Sequence, residues 1–493
     1  MMGRSMLAYI PVNLANIFVS FGTIVILTRL LNSEEFGRYA LAIITLQFTH
    51  MGLFTWLEAA MARFQARAER EGDVNSHLKT LYYYAAALCT PILIMVLVIL
   101  WVLPLSPVMR TLLTVALSST CIQIFFNLGV EAHKAAHRIK RYSTIYSIQT
   151  LLSFTIGIIL ILATPLREIA PFIGISASLI IVLMIDFPFI LKRMKGGEIQ
   201  RAKVHTYFTY GMPICISLLL AYALNSADMY LIAGIMGEAS AGQYNAGYNL
   251  ANRSVEILFI WISMAATPMA ITLLEKEGLD RSVKLMRQYG ASLLWITLPA
   301  ATGIALVAKE FGFILGESVR AEAITIMPLI AIAGVMNGLI SYYAQRAFML
   351  SGKTIMFVWA MVPPVILNLA LNIWLIPIYG LMGAVYATLI SYTLGFILSF
   401  LIGRRYYPLP LPLKALCQIS FACGCMAGVI LLLPDMSAWN DLIILGVKAG
   451  IGATIYMAIC LAINAADCRE ITQRCLKKIL KKEQEIPVLE AAE

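Results

Sequence analysis

Long apolar stretches separated by short polar breaks run the whole length of this chain. A bilayer core needs roughly 20 apolar residues as a helix. Stepping along with that ruler places spans near 8–30, 38–62, 79–104, 109–131, 143–164, 169–191, 207–236, 241–272, 288–314, 322–346, 355–377, 380–403, 414–433 and 442–464. No stretch between them reads as a soluble domain. The pattern therefore predicts an all-α polytopic membrane protein with about fourteen transmembrane helices.

Composition agrees. Of 493 residues, 60% are hydrophobic and 13% charged, with a mean hydropathy of +0.81; a soluble domain carries about 25% charged residues. The net charge of +10 raises the question of a nucleic-acid partner, and the placement of the charges answers it. With alternate loops assigned to opposite sides, 29 of the 37 Lys and Arg fall on the side of both termini and 6 on the other, with Arg253 and Lys448 inside spans. Basic loops stay cytoplasmic. The excess is a topology signal with some attraction to anionic lipid, and no nucleic acid is expected. Both termini are expected in the cytoplasm, and the first span, preceded by Arg4, reads as uncleaved. None of the nine cysteines forms a C-x-x-C pair, so no metal or disulfide framework is expected.

The chain repeats itself. "LTRLLNSEEFGRYALAI" (27–43) and "IAGIMGEASAGQYNAGY" (232–248) both end a span, pass through a short acidic turn and restart at Gly-x-Tyr. Gly37 and Tyr39 match Gly242 and Tyr244 at an offset of 205. The glycines read as tight helix entries and the tyrosines as interfacial belt residues. Six spans follow in each half, so the expected layout is an N-terminal six-helix lobe at 1–192, a cytoplasmic linker at 193–206, a second lobe at 207–403, an appended helix pair at 404–466 and a basic tail at 467–493. Two pseudo-symmetric lobes around a central cavity is a transporter architecture with alternating access.

The eighth span carries the chemistry. At 100° per residue, Asn245, Asn249, Asn252, Arg253, Glu256 and Ser263 share roughly a 100° arc. A charge at bilayer centre costs at least ~2.5–3.5 kcal/mol, so such a face looks into a bundle or a wet cavity. Arg253 lies about 16 Å in from Gly242 at ~1.5 Å per residue. Asp228 on the seventh span reaches about 13 Å by the same rise, close enough in depth to meet Arg253; Glu256 is a second possible partner. Arg253 then either faces an anionic substrate or holds a structural ion pair. The first half offers Asn13 and Asn16 on the first span and Gln47, the offset match of Asn252, on the second. His50, Glu58 and Asp228 are candidates to carry a coupling ion. Asp186 reads as interfacial, and Lys448 as snorkelling outward.

Asn368, Asn372, Pro377, Gly380 and Gly383 read as a tight packed hairpin. Residues 468–486 offer an amphipathic basic helix or a solvated tail. No nucleotide, nucleophile or metal motif occurs, so the protein is not read as an enzyme and no cofactor is expected. Uphill work would draw on a gradient.

The segments at 27–43, their echo near 242 and "LNIWLIPIYGLMGAVYATL" (371–389) resemble the bacterial polysaccharide transporter (Wzx-type) flippases, within the superfamily that also holds lipid II flippases and multidrug extruders. The resemblance implies a multi-pass protein of the bacterial inner membrane. It would move an undecaprenyl-pyrophosphate-linked oligosaccharide from the cytoplasmic to the outer leaflet, alongside polysaccharide polymerase and export machinery. It also implies a cationic cavity, to which Arg253 corresponds, although the first lobe has no midplane arginine. The alternatives are a cation-coupled multidrug or small-solute exporter, and an oligosaccharide polymerase or ligase. The last needs a large outer loop, and all outer loops here are short.

Overall fold

The computed structural model describes residues 10–470 apart from 354, 435, 437 and 438. The amphipathic stretch expected in the tail lies mostly outside these residues. Among the described residues there is no strand, and thirteen helices are long and apolar enough to cross a membrane. A fourteenth span is broken: Ser33–Leu53 and Thr55–Glu71 meet at 51°. Thirteen of the expected spans have a single helix each and the bent pair lies at the second, with two notable differences in length. The eighth helix runs unbroken over Glu238–Glu277, about 60 Å at ~1.5 Å per residue, and so overshoots the hydrocarbon. The ninth, Leu279–Leu306, stops short of residue 314, and a one-turn helix Ala308–Phe311 follows.

Tertiary contacts gather the chain into two compact units that do not follow the halves of the repeat. The first comprises Met1–Ala246, Ile314–Ala323 and Met361–Thr388; the second comprises Gly247–Phe313, Ile324–Ala360 and Leu389–Glu493. The boundary cuts the eighth, tenth, eleventh and twelfth helices.

Within the first unit, the start of the second span meets the start of the eighth. Asn32 and Glu35 form a reciprocal capping box, each side chain 2.9 Å from the other's backbone nitrogen, and this fixes the helix start at Ser33. One turn on, Gly37 lies against Gly242. A Cβ on Gly37 would fall 1.8 Å from the Glu238 carbonyl oxygen, and one on Gly242 would fall 2.2 Å from that of Ser33. The paired glycines are therefore a backbone-to-backbone contact between the two copies of the repeat, rather than tight helix entries. Of the matching tyrosines, one is half-buried and the other sealed in protein. Tyr39 packs between Phe36 and Phe172, and Tyr244 is 1% exposed.

Charge closes the same edge. Arg38 reaches Glu34, Glu168 at 2.8 Å and Glu238 at 3.1 Å, while Arg167 holds Glu35 at 2.8 Å. Gly316 donates its backbone N–H to the Thr28 hydroxyl at 3.1 Å.

The connector at 193–206 is strapped down. Along the start of the third span, Val74–Val102, Asn75 donates to the Lys195 carbonyl at 2.9 Å and Lys79 to that of Gly197 at 2.8 Å. Ser76 and Thr80 accept from the Glu198 and Gln200 backbones at 3.2 and 3.0 Å. Asp73 takes Gln200 Nε2 and Lys203 Nζ, each at 2.7 Å. Hydrogen bonding to Lys203, with the Ser76 hydroxyl and the Gln200 amide, holds the Asp73 carboxyl down to about 2. A depressed carboxylate contributes above its unfolded value of about 3.9 and loses that contribution as pH falls, so the Asp73 tie persists until pH approaches 2.

Elsewhere several ions are paired inside the protein. Asp186 is 6% exposed, held by His133 at 2.9 Å and Arg141 at 2.6 Å. Lys448 meets Glu310 at 2.6 Å instead of snorkelling freely. Asn372 donates to Asn368 Oδ1 at 3.0 Å, both fully buried, as the packed hairpin requires.

Two outcomes are expected. Gly197→Val, whose Cβ would sit 2.4 Å from the Asn75 backbone, lifts the connector, and limited proteolysis then cleaves within 193–206 where the parent resists. Gly37→Val separates the two repeat helices at a cost of about 1–3 kcal/mol, read as a lowered unfolding midpoint of the detergent-purified protein.

Candidate functional site

Two polar clusters stand out, one in each unit. In the second unit, the eighth helix presents Arg253 and Glu256 on adjoining turns, and Arg253 Nη1 donates to Glu256 Oε2 at 2.7 Å. The pair is not sealed: the Arg253 side chain is 49% exposed and that of Glu256 27%. On the tenth span, the α-helix Glu317–Leu339 gives way to a π-helical turn, Ile340–Ala344, before Arg346–Leu350. Such turns widen the helix and redirect side chains. Tyr342, on this turn, lies within electrostatic reach of Glu256, Arg346 and Arg253. The Arg346 guanidinium sits 5.9 Å from its ring centre, and Phe259 stacks on it at 5.8 Å. Its carbonyl accepts from Tyr289 OH at 2.7 Å, which also meets Ser263 Oγ at 2.7 Å. Two guanidiniums, one carboxylate and a tyrosine row thus share one patch. It can hold an anion while offering hydroxyls to a polar ligand.

The remaining stripe residues divide by exposure. Asn249 is half-buried; Asn252 is 8% exposed and packs against Gly334. Tyr248 OH meets Tyr392 OH at 2.7 Å.

In the first unit, His50 Nε2 lies 2.6 Å from Glu58 Oε1, and Asn127 Nδ2 donates to the same oxygen at 2.8 Å. The cluster straddles the 51° break in the second span. His50 is 4% exposed, and its Nδ1 is buried without a hydrogen-bond partner. The two titratable candidates on this span are therefore one site. Asp228 behaves differently. It follows a helix break at Ala227, is 2% exposed, and accepts from Tyr244 OH at 2.5 Å and its own Met229 N–H at 3.0 Å. Thr388 Oγ1 adds a longer contact at 3.4 Å. It is packed into protein rather than presented to solvent. Asp228 and Arg253, matched in depth, each take a partner nearer in sequence. Asn13, Asn16, Gln47 and Asn245 are half-buried.

Sequence reasoning missed Asn127, Tyr342 and Arg346. Asn127 sits on the fourth span, far from His50 and Glu58 along the chain. Arg346 was counted with the loop charges because the apolar run ends there, although the helix continues to Leu350.

The helices define a multi-pass membrane-spanning bundle, with an exposed arginine on the eighth helix. Residues 2–273, over half the chain, match the family described as Polysaccharide biosynthesis protein, and the chain belongs to that family. It is 24% identical over 265 residues to the "Probable flippase AglR" of Haloferax volcanii, a match that spans 51% of this chain and only about half (53%) of that relative. Its fold is that of "Lipid II flippase MurJ, inward closed conformation", with a TM-score of 0.74, 14% identity and coverage of 93% of this chain and 98% of the other. An inward-facing multidrug resistance MATE family transporter of the MOP superfamily superposes with a TM-score of 0.63 at 16% identity, over 78% and 94% of the two chains.

Removing an acceptor and leaving buried donors unsatisfied costs about 1–3 kcal/mol. Glu58→Ala is thus expected to lower the thermal midpoint of the purified protein clearly more than Glu58→Gln, which keeps the oxygen that Asn127 bonds.

Proposed function

We propose that this protein is a flippase that carries an undecaprenyl-pyrophosphate-linked oligosaccharide from the cytoplasmic to the outer leaflet of the bacterial inner membrane by alternating access. The observation that carries the reading is Arg253: a guanidinium half exposed at about 16 Å of helix depth. Lipid does not accept a charge there, so an aqueous chamber runs beside the eighth helix. Arg253 and Arg346 would take the pyrophosphate, and Glu256 would release Arg253 when the phosphate arrives. Tyr342, Tyr289 and the half-buried amide of Asn249 would meet sugar hydroxyls. The family and the flippase relative support the same direction of thought. Both termini lie in the cytoplasm by the Lys and Arg bias, and polysaccharide polymerase and export machinery would take the product.

A second reading, a cation-coupled exporter of small solutes, is favoured by one observation: His50 and Glu58 form a titratable pair at a helix break. The same pair can couple an ion to a flippase, so substrate assays separate the two.

Arg253→Ala is expected to abolish glycan export while membrane insertion is unchanged, with Arg253→Lys retaining part of it because Lys lacks the bidentate fork. Export is scored by surface polysaccharide, and insertion by immunoblot of membranes. Cysteines placed at 245 and 249 are expected to react with aqueous maleimide. Undiminished export in the alanine variant, with both cysteines sealed, would reduce Arg253 and Glu256 to a structural pair.

A further inference from the structure

Within the second unit, three helix ends meet around a cavity of about 700 Å³. They are the start of the ninth helix at Leu279, the start of the thirteenth at Leu413 and the end of the fourteenth at Ile463. Lys284, Arg287 and Lys414 line it, and all three are exposed. Among the described residues, none of the three forms an ion pair. Asp280 and Asp467 are the acids on its wall, so the cavity is cationic. Its mouth carries Leu411 and Leu413, 39% and 57% exposed.

The walls are fixed. Tyr407 OH meets Ser282 Oγ at 2.8 Å, Tyr343 OH donates to the Pro410 carbonyl, and Gln418 donates to that of Ile463 at 3.0 Å. These bonds hold the 405–412 loop and two helix ends in place with no side chain of the three cations engaged. The cavity is preorganised and its charge is left for something else.

We propose that this cavity binds the phosphate of an anionic phospholipid of the cytoplasmic leaflet. The inference rests on the cytoplasmic placement of these helix ends and is independent of the transported substrate. Helix ends lie at headgroup depth, where basic pockets between spans take lipid phosphates. The exposed leucines beside the cations suit a ligand with a polar head and an apolar body, which inorganic phosphate lacks. A lipid seated here would tie the appended helix pair to the ninth helix without protein–protein charge pairing.

The test is native mass spectrometry and thermal unfolding of the purified full chain, supplied with phosphatidylglycerol, phosphatidylcholine or inorganic phosphate. Phosphatidylglycerol is expected to be retained and to raise the unfolding midpoint, with the other two having little effect. The triple variant K284Q/R287Q/K414Q should hold phosphatidylglycerol roughly 100-fold more weakly, at about 1 kcal/mol per cation, while K276Q/R281Q outside the cavity should match the parent. All these positions are solvent-exposed, and an unchanged midpoint in phosphatidylcholine certifies the fold of each variant. Equal retention of both lipids, or undiminished retention by the triple variant, would overturn the proposal. Equal stabilisation by inorganic phosphate would replace the lipid with a free anion. Neither outcome bears on Arg253, whose substitution is read by export.

Discussion

Charge is expensive in hydrocarbon, and nearly every polar contact in this protein answers to that cost. Several ions within helices are met by a partner: Asp186 by Arg141 and His133, Lys448 by Glu310, Glu58 by His50 and Asn127. Asp228, with no cation assigned to it, is wrapped by hydroxyl and backbone donors. Arg253 departs from the pattern. It has a carboxylate beside it and yet its side chain remains half exposed.

Much of this was legible in the chain itself. Span positions follow from the length of apolar runs, because hydrocarbon thickness admits few alternatives. The Arg253–Glu256 neighbourhood follows from helical spacing, since residues three apart share a face. What stayed hidden depends on long-range packing. Asn127 reaches Glu58 across 69 residues, and nothing local marks an asparagine as the third member of a cluster. The π-helical turn that aims Tyr342 at the charged patch has no signature in an apolar run. Gly37 and Gly242 were visible as a repeat, but their purpose was misread. A glycine needed for close approach and one needed for a turn look alike until the neighbouring backbone is in view.

Each unit carries one polar cluster. The second unit holds the guanidiniums of Arg253 and Arg346, the Glu256 carboxylate and the tyrosines around them; the first holds His50, Glu58 and Asn127 at the bend in the second span. Each cluster is assembled from residues that lie far apart in the chain, and each is completed within its own unit.

The seam between Gly37 and Gly242 has a mechanical corollary. Where two helices meet as bare backbone, their spacing is set by carbonyl oxygens, here those of Ser33 and Glu238. Glu238 also supplies one of the carboxylates that clasp Arg38, so a side chain added at either glycine would wedge apart the helix ends that this ion cluster ties together.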